Sequence, residues 1–409
     1  MKRKDGWQKF PILFSLYIAQ SVPMSFFSTV VPVIMRQEHY SLESIGLLQL
    51  VKLPWILKFL WAPFVDNYTQ SGRQIRHWII LSELFYAVVI VGIGFLDLQT
   101  DFTLIIMLMV IAFIASATQD VATDIFAILI LKPEERGIGN SMQSAGSFVG
   151  SLLGTGVLLF AYYYFGWKNL LVLLAAFVGF AIIPLTLYKK RLNLEKFNKP
   201  RVKVRDIFLF FADKACRKRI LVLVFYYGGI IGILAMLKPY LVDLGYNIKQ
   251  IGFMSGIVGT SVAASSALLA GYIIKQIGRK KSIYLFAFIN LMAGAFFIYL
   301  ANHTPMLYEI YIGICLLWGS YGLSTVIIYT TSMDIVREGR EGTDFTVQIV
   351  ITHLSGIIVA IMSGKIGDKL GYLGLYHVEF ILGLLAIFAL LYNYPIKFKK
   401  NENRSYIDK

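Results

Sequence analysis

Twelve runs of mostly apolar residues follow one another along this 409-residue chain. Each is about 20 residues or more, long enough to cross a bilayer as a helix. They lie near 10–34, 44–64, 77–96, 103–127, 139–164, 169–188, 219–243, 250–274, 282–301, 307–333, 344–364 and 373–394. A water-soluble globule has too little polar surface to cover so much apolar material: 57% of the residues are apolar and 15% charged. A soluble enzyme, a disordered scaffold and a secreted disulfide module are excluded on that ground. Cys216 and Cys315 show no metal-ligand spacing and imply no disulfide framework, so neither a metal nor another cofactor is expected. The first stretch follows Lys2, Arg3 and Lys4, but its apolar run outlasts a signal-peptide core. It reads as a retained helix.

The net charge of +15 would suggest nucleic acid in a soluble protein. Its placement says otherwise. With the N-terminus in the cytoplasm, 31 of the 39 Lys and Arg fall on inside segments. Arg36, Lys168, Lys249, Lys365 and Lys369 fall outside, and Lys52, Lys58 and Lys238 lie within apolar stretches. The positive-inside rule then predicts a multi-pass protein with both termini cytoplasmic. The basic charge meets anionic lipid headgroups, and no nucleic-acid partner is needed.

Twelve of the inside charges lie between Lys189 and Arg219, in the one long polar connection. It divides the chain into a six-helix bundle at 1–188, a basic cytoplasmic linker at 189–218 with amphipathic helical character, and a second six-helix bundle at 219–409 ending in a short cytoplasmic tail. An offset of about 206 residues brings the halves into register. Ser41–Gly46 matches Asn247–Gly252, Gly72-Arg73 matches Gly278-Arg279, and Arg136-Gly137…Gln143 matches Glu341-Gly342…Gln348. A parallel six-helix repeat is the construction of the major facilitator fold, whose halves rock about a midplane cavity. The expected fold class is therefore an all-α membrane protein of twelve transmembrane helices with that fold.

The loop after stretch 2 reads Asp66…Gly72-Arg73…Arg76, a variant of the superfamily's cytoplasmic signature. A tight glycine turn would hold two helices close, and Asp66 would pair with arginines or with a helix N-terminus, latching a cytoplasmic gate. The second copy keeps Gly278-Arg279 and lacks the acid. Arg136 joins the gating set.

Charges at mid-bilayer are costly and invite a functional reading. Lys52 and Lys58 of stretch 2 point some 240° apart and so do not share a partner; Lys58 either snorkels toward the cytoplasm or pairs. In stretch 4, Asp120 and Asp124 lie one turn apart on one face, beside Gln119. Two such carboxylates in an apolar setting should not both stay ionised, which suits proton coupling, with Glu83 of stretch 3 as a third member. The plainer alternative is a fixed salt bridge between stretches 2 and 4. All of these groups are expected to face a wet passage between the bundles. Solute contacts are expected from Tyr17, Gln20, Lys52, Lys58, Gln119, Tyr226, Tyr227, Tyr321, Gln348 and His353, with Lys238 and Glu379 as weaker signals at depth. Gly146, Gly150 and Gly154 recur every fourth residue in stretch 5, the spacing of close helix packing.

Leu53-Pro54-Trp-Ile-Leu-Lys58-Phe-Leu-Trp61-Ala62-Pro63-Phe-Val-Asp66, Ser116-Ala-Thr-Gln119-Asp120-x-Ala-x-Asp124 and Pro133-Glu-Glu-Arg136-Gly137 resemble the AmpG-type permeases. That family includes acetyl-coenzyme A transporters and a siderophore-importing branch of the RhtX/FptX type. The resemblance is dense over residues 10–170. It implies proton-driven uptake across a bacterial inner membrane, and it marks Lys58, Asp66, Gln119, Asp120 and Asp124 as the family's polar constellation. Typical members import anhydro-muropeptides, whereas Gly342-Thr343-Asp344-Phe345-Thr346-Val-Gln348 looks more like the siderophore branch. The expected function is a monomeric secondary transporter, not an enzyme. Its partners would be protons, membrane lipids and a small-molecule solute, bulky and polar, of the muropeptide or siderophore type. The rivals are a drug or metabolite efflux antiporter, a carrier of an acetyl-coenzyme A-like substrate, and a non-transporting receptor.

Overall fold

In a computed structural model of the chain, residues 7–37, 39, 48–188, 201–212 and 214–393 are described. The basic clusters Lys2–Lys4 and Lys189–Arg191, the Ser41–Gly46 repeat element and the C-terminal tail lie outside them. The described residues are helical, with no strand among them.

Eight helical segments are long and apolar enough to cross a membrane. Three of these, Pro133–Leu187, Ile248–Ala301 and Glu341–Tyr392, run 52 to 55 residues, more than twice one crossing. Each reverses at a glycine with positive φ: Gly166 at 67°, Gly278 at 79° and Gly371 at 67°. A side chain at these points would be strained, so the glycine permits the turn. That resolves eleven spans. The twelfth is the broken segment after the first loop.

We number the spans α1 (9–37), α2 (48–68), α3 (Gly72–Gly94), α4 (Phe102–Ile130), α5 (136–165), α6 (167–187), α7 (214–243), α8 (248–277), α9 (279–301), α10 (Leu307–Met333), α11 (341–370) and α12 (372–393). Side chains such as Leu81, Val88, Phe180 and Leu391 stand exposed around the outside, as a lipid-facing surface requires.

Span α2 departs from the single apolar helix expected over 44–64. It passes from 3-10 turns (Leu48–Lys52) to α-helix (Leu53–Leu57), back to 3-10 (Lys58–Leu60), and then to α-helix again (Ala62–Tyr68). Pro54 and Pro63 each open one of the α-helical pieces, because proline suits the first turn and cannot continue a preceding ladder. The break carries the span to Tyr68, so Asp66 belongs to the last turn of α2 and not to the loop. Gly72 also differs from expectation. It opens α3 behind the Ser71 cap and is no left-handed turn; only its repeat partner Gly278 is.

Two apolar cores follow the two bundles. One gathers residues from Val22 to Val178, the other residues mostly from Val222 to Leu390. A third, at the end where α2 meets α3, joins Phe10, Val65, Ile125 and Leu185 to Met333, Phe345 and Ile349 of the other half. The bundles therefore share a core at one end. Within the first bundle α5 lies hard against α1. A Cβ at Gly146 would stand 2.9 Å from Phe14 O, at Gly150 2.7 Å from Ser21 Cβ, and at Gly154 2.4 Å from Val22 O. The glycine stripe is a packing seam.

The described part of the linker holds a short helix, Arg205–Phe210, with Ile207 and Phe210 buried. Asn67 and Val202 exchange two hydrogen bonds of 2.8 Å, which fix the linker to α2. Arg219, which sequence placed with the linker charges, is instead fully buried at the base of α7. It donates to Gln348 Oε1, Ile328 O, Thr331 Oγ1 and Ser332 Oγ.

Candidate functional site

A cavity of about 360 Å³ opens between the bundles. Met24 of α1 and Lys52, Trp55 and Ile56 of α2 form one wall; Tyr227 of α7, Tyr321, Thr325 and Tyr329 of α10, and Thr352 and His353 of α11 form the other. The break in α2 sets Lys52 at the end of one 3-10 turn and Lys58 at the start of the next, so the two ammonium groups separate. Lys52 faces the cavity. Lys58 does not; it is buried and paired with Asp120.

Behind that wall the first bundle holds a polar cluster of three hydrogen-bonded groups. Lys58 Nζ pairs with Asp120 Oδ2, with the residues 2% and 4% exposed. Tyr17 Oη donates to Asp124 Oδ1, which also accepts from Gln143 Nε2 at 3.4 Å. Gln20 donates to Gln119 Oε1, and Gln119 Nε2 donates to Glu83 Oε2 at 2.6 Å. Five helices, α1 to α5, each place at least one side chain in it. Trp61 Nε1 donates to Thr118 Oγ1 at 3.2 Å beside it. The Lys58–Asp120 pair keeps its charges in the hydrocarbon because each is the other's partner.

This corrects the expectation that these ionisable groups line a wet passage. Asp120, Asp124, Glu83, Tyr17, Gln20, Gln119 and Lys58 are packed inside the first bundle in this conformation, and Lys58 does not snorkel. Two further corrections concern the second bundle. Tyr226 turns away from the cavity and donates to Ile283 O at 2.9 Å, and Gln348 is held by Arg219. Of the ten residues expected to touch solute, Lys52, Tyr227, Tyr321 and His353 line the cavity. Trp55, Thr325, Tyr329 and Thr352, not singled out from the sequence, line it as well. The only available signal was Trp55's place in the Leu53–Asp66 string.

Cluster and cavity are nevertheless adjacent. Lys58 Nζ sits 4.9 Å from the centre of the Trp55 ring, which itself lines the cavity. Tyr329 stands within electrostatic reach of Asp120 and Asp124, and His353 within reach of Lys58.

The shared end of the bundles is held by polar contacts. Asp66 accepts from Gly342 N at 2.8 Å, Thr343 N at 2.7 Å and Thr343 Oγ1 at 2.6 Å, at the start of α11. A carboxylate there meets unpaired N–H groups and the positive end of a helix. Arg136 Nη1 donates to Met333 O at 3.0 Å and Asp334 Oδ1 at 2.8 Å. Arg279 pairs with the same Asp334 and donates to Pro133 O. Arg76 instead donates to Tyr188 O, and Arg73 is exposed. Asp334, unmarked in the sequence, thus joins two arginines of different bundles. A neighbouring network, equally unforeseen, ties Arg337 to Asp344 at 2.6 Å and Arg340 to Asp206 of the linker at 3.0 Å. No His/Cys/Asp/Glu group among the described residues could hold a metal ion.

Two bundles, a cavity between them and a polar seam closing one end are the parts of a membrane carrier. The family model described as Major Facilitator Superfamily matches residues 13–359, and the chain belongs to that superfamily. It is a multi-pass membrane transporter. It is similar to the anhydromuropeptide permease of Escherichia coli strain K12, at 24% identity over 93% of this chain and 78% of the relative. It is also similar to a putative transporter, AmpG 4, of Rickettsia conorii, at 23% identity over 93% of this chain and 95% of the relative. Among solved structures, the transporter FucP in its outward conformation superposes with a TM-score of 0.73 at 13% identity, covering 95% of this chain and 99% of that one. The likeness to AmpG-type permeases read from the sequence therefore extends over nearly the whole chain.

Proposed function

We propose that the chain is a proton-driven importer of the bacterial inner membrane. Both termini face the cytoplasm, and the solute is bulky and polar, of the muropeptide or siderophore type. The observation that carries this reading is the Lys58–Asp120 pair standing directly behind Trp55, a wall of the cavity. A proton reaching Asp120 or its one-turn neighbour Asp124 would release Lys58 and, with it, the ring that covers it. Lys52 and His353 are the nitrogen-bearing titratable groups in a lining that holds no Asp or Glu among the described residues. Such a lining favours an anionic solute, and the tyrosine rings offer flat faces to sugar or phenol. The latch of Asp66 on α11, with Arg136 and Arg279 on Asp334, then closes the cytoplasmic side and must part for release.

The test is uptake into vesicles containing the purified chain under an inward proton gradient, with anhydro-muropeptide and a ferric siderophore offered in parallel. Accumulation of one of them, dependent on the gradient and abolished in Asp120→Asn and Asp124→Asn, is expected. Uptake that ignores the gradient or survives both substitutions overturns the reading. Reversing the gradient in preloaded vesicles separates import from efflux.

A further inference from the structure

Glu379, in α12, belongs to neither the cavity between the bundles nor the cluster of α1 to α5. It is 1% exposed. Seven residues of helix, about 10 Å, separate it from the start of α12, so it lies well inside the span. Its Oε1 lies 2.9 Å from Ser363 Oγ of α11. Its Oε2 is buried with no hydrogen-bond partner among the described residues. It takes part in no ion pair described for them. A bare carboxylate in such a place lacks the compensation that buried charge requires.

The surroundings are built for this carboxyl. Gly232 of α7 faces it, and a Cβ there would stand 2.0 Å from Oε1. Gly229, one turn earlier, admits the backbone of Gly383 in the same way, at 2.9 Å. Ser363 Oγ also lies 2.8 Å from Val359 O, the back-bond common for helical serines. One hydroxyl hydrogen cannot serve both oxygens. If it goes to Val359 O, the contact with Glu379 is filled only when the carboxyl is itself the donor.

No charged group opposes that state. α7 presents Gly229 and Gly232, the latter with its backbone N–H toward the carboxyl, α11 presents Ser363, and α9 presents Leu291 and Gly294 around the next turn of α12. Tyr376, one turn before Glu379, packs on Tyr240 and Phe297. Lys238, Lys365 and His377 are exposed. A second cavity of about 440 Å³, between α7, α11 and α12, has Glu379 and Ser363 in an otherwise mostly apolar wall.

We infer that Glu379 is a second proton-binding site of this carrier, in the C-terminal bundle, carrying its proton in this conformation. It donates to Ser363 when protonated. When ionised it would push α12 from the glycine face of α7, which couples the proton to the packing of those helices. The role in a transport cycle rests on the proton-driven reading above, but proton binding itself is measured without any solute.

The experiment is infrared difference spectroscopy of the full chain in lipid vesicles, titrated from neutral to alkaline pH, for wild type and Glu379→Gln. The wild type should show one carboxylic-acid carbonyl band that the variant lacks, and the band should vanish reversibly as pH rises. Superimposable spectra in the acid region would mean that Glu379 is ionised throughout, and a band that persists to the alkaline limit would mean a locked acid; either overturns the proposal. Should Glu379→Gln fail to fold, Ser363→Ala serves: loss of its hydroxyl must shift both the band and its titration, and an unshifted band overturns the proposal. Failure here leaves gradient-driven uptake and its loss in Asp120→Asn untouched, so the two readings fall separately.

Discussion

Lys58 and Asp120 show how one buried pair constrains what a substitution can do. Removing a single partner leaves an uncompensated charge in packing, at a cost of about 3–5 kcal/mol, whereas replacing both with apolar residues is often near neutral. Asp120→Asn should therefore lower thermal stability in detergent markedly. The double variant Lys58→Met with Asp120→Leu should recover most of that stability and still fail to accumulate solute. A double variant as unstable as the single one would show that the pair does more than neutralise itself. Lys52 sits in a different situation, half-buried against a cavity whose lining holds no carboxylate among the described residues. Lys52→Ala should leave unfolding unchanged and weaken binding of an anionic solute at least tenfold, read by a binding isotherm. At the surface between α9 and α10, His303 contacts Glu309 at 3.1 Å, and that hydrogen bond raises its pKa above the usual 6.5. Stability from this contact is full below the unfolded value and fades as pH rises through the folded one. Glu309→Gln should move the His303 titration, followed by NMR, back toward 6.5.

At the scale of helices, glycine and proline positions decide what can approach what. Gly154 lets α5 lie on α1 with Val22 O 2.4 Å from where a Cβ would be, so Gly154→Leu should abolish membrane accumulation of folded protein. The start of α11 is held by three hydrogen bonds to Asp66, and a bond to a charged acceptor contributes about 1.5–3 kcal/mol. Asp66→Ala should favour the state opened at this end by tenfold or more, since about 1.4 kcal/mol is a factor of ten. Spin labels at Tyr68→Cys and Lys280→Cys, exposed positions on opposite bundles, would report the change as a longer distance population. An unchanged distribution would show that Arg136 and Arg279 on Asp334 suffice to hold the end shut.

For the whole molecule the two ends are unlike. One carries a shared core and the contacts of Asp66, Arg136 and Arg279; away from it the cavity separates α1 and α2 from α7, α10 and α11. Span α2 runs past cavity, polar cluster and latch in turn. That span carries Lys52, Trp55, Lys58 and Asp66 within 15 residues, interrupted by two 3-10 segments that give it room to shift.

The number of spans and the family were legible in the sequence, because bilayer thickness fixes the length of an apolar run and duplication leaves its register in glycines and arginines. Helical periodicity also set Lys52 and Lys58 apart, although the structure separates them through the break in α2 that the sequence reading did not include. The sequence could mark Asp120 and Asp124 as costly, yet not whether they would face water or packing. That depended on Lys58, Tyr17 and Gln143, brought to them from three other helices. Asp334 as the meeting point of two arginines, the burial of Arg219 among Gln348, Thr331 and Ser332, and the turning of Tyr226 and Gln348 away from the cavity were decided only by tertiary structure. Each depends on how helices rotate against one another, and an apolar pattern in lipid constrains that rotation weakly: hydrocarbon surrounds every face alike, so packing and hydrogen bonding select the partners.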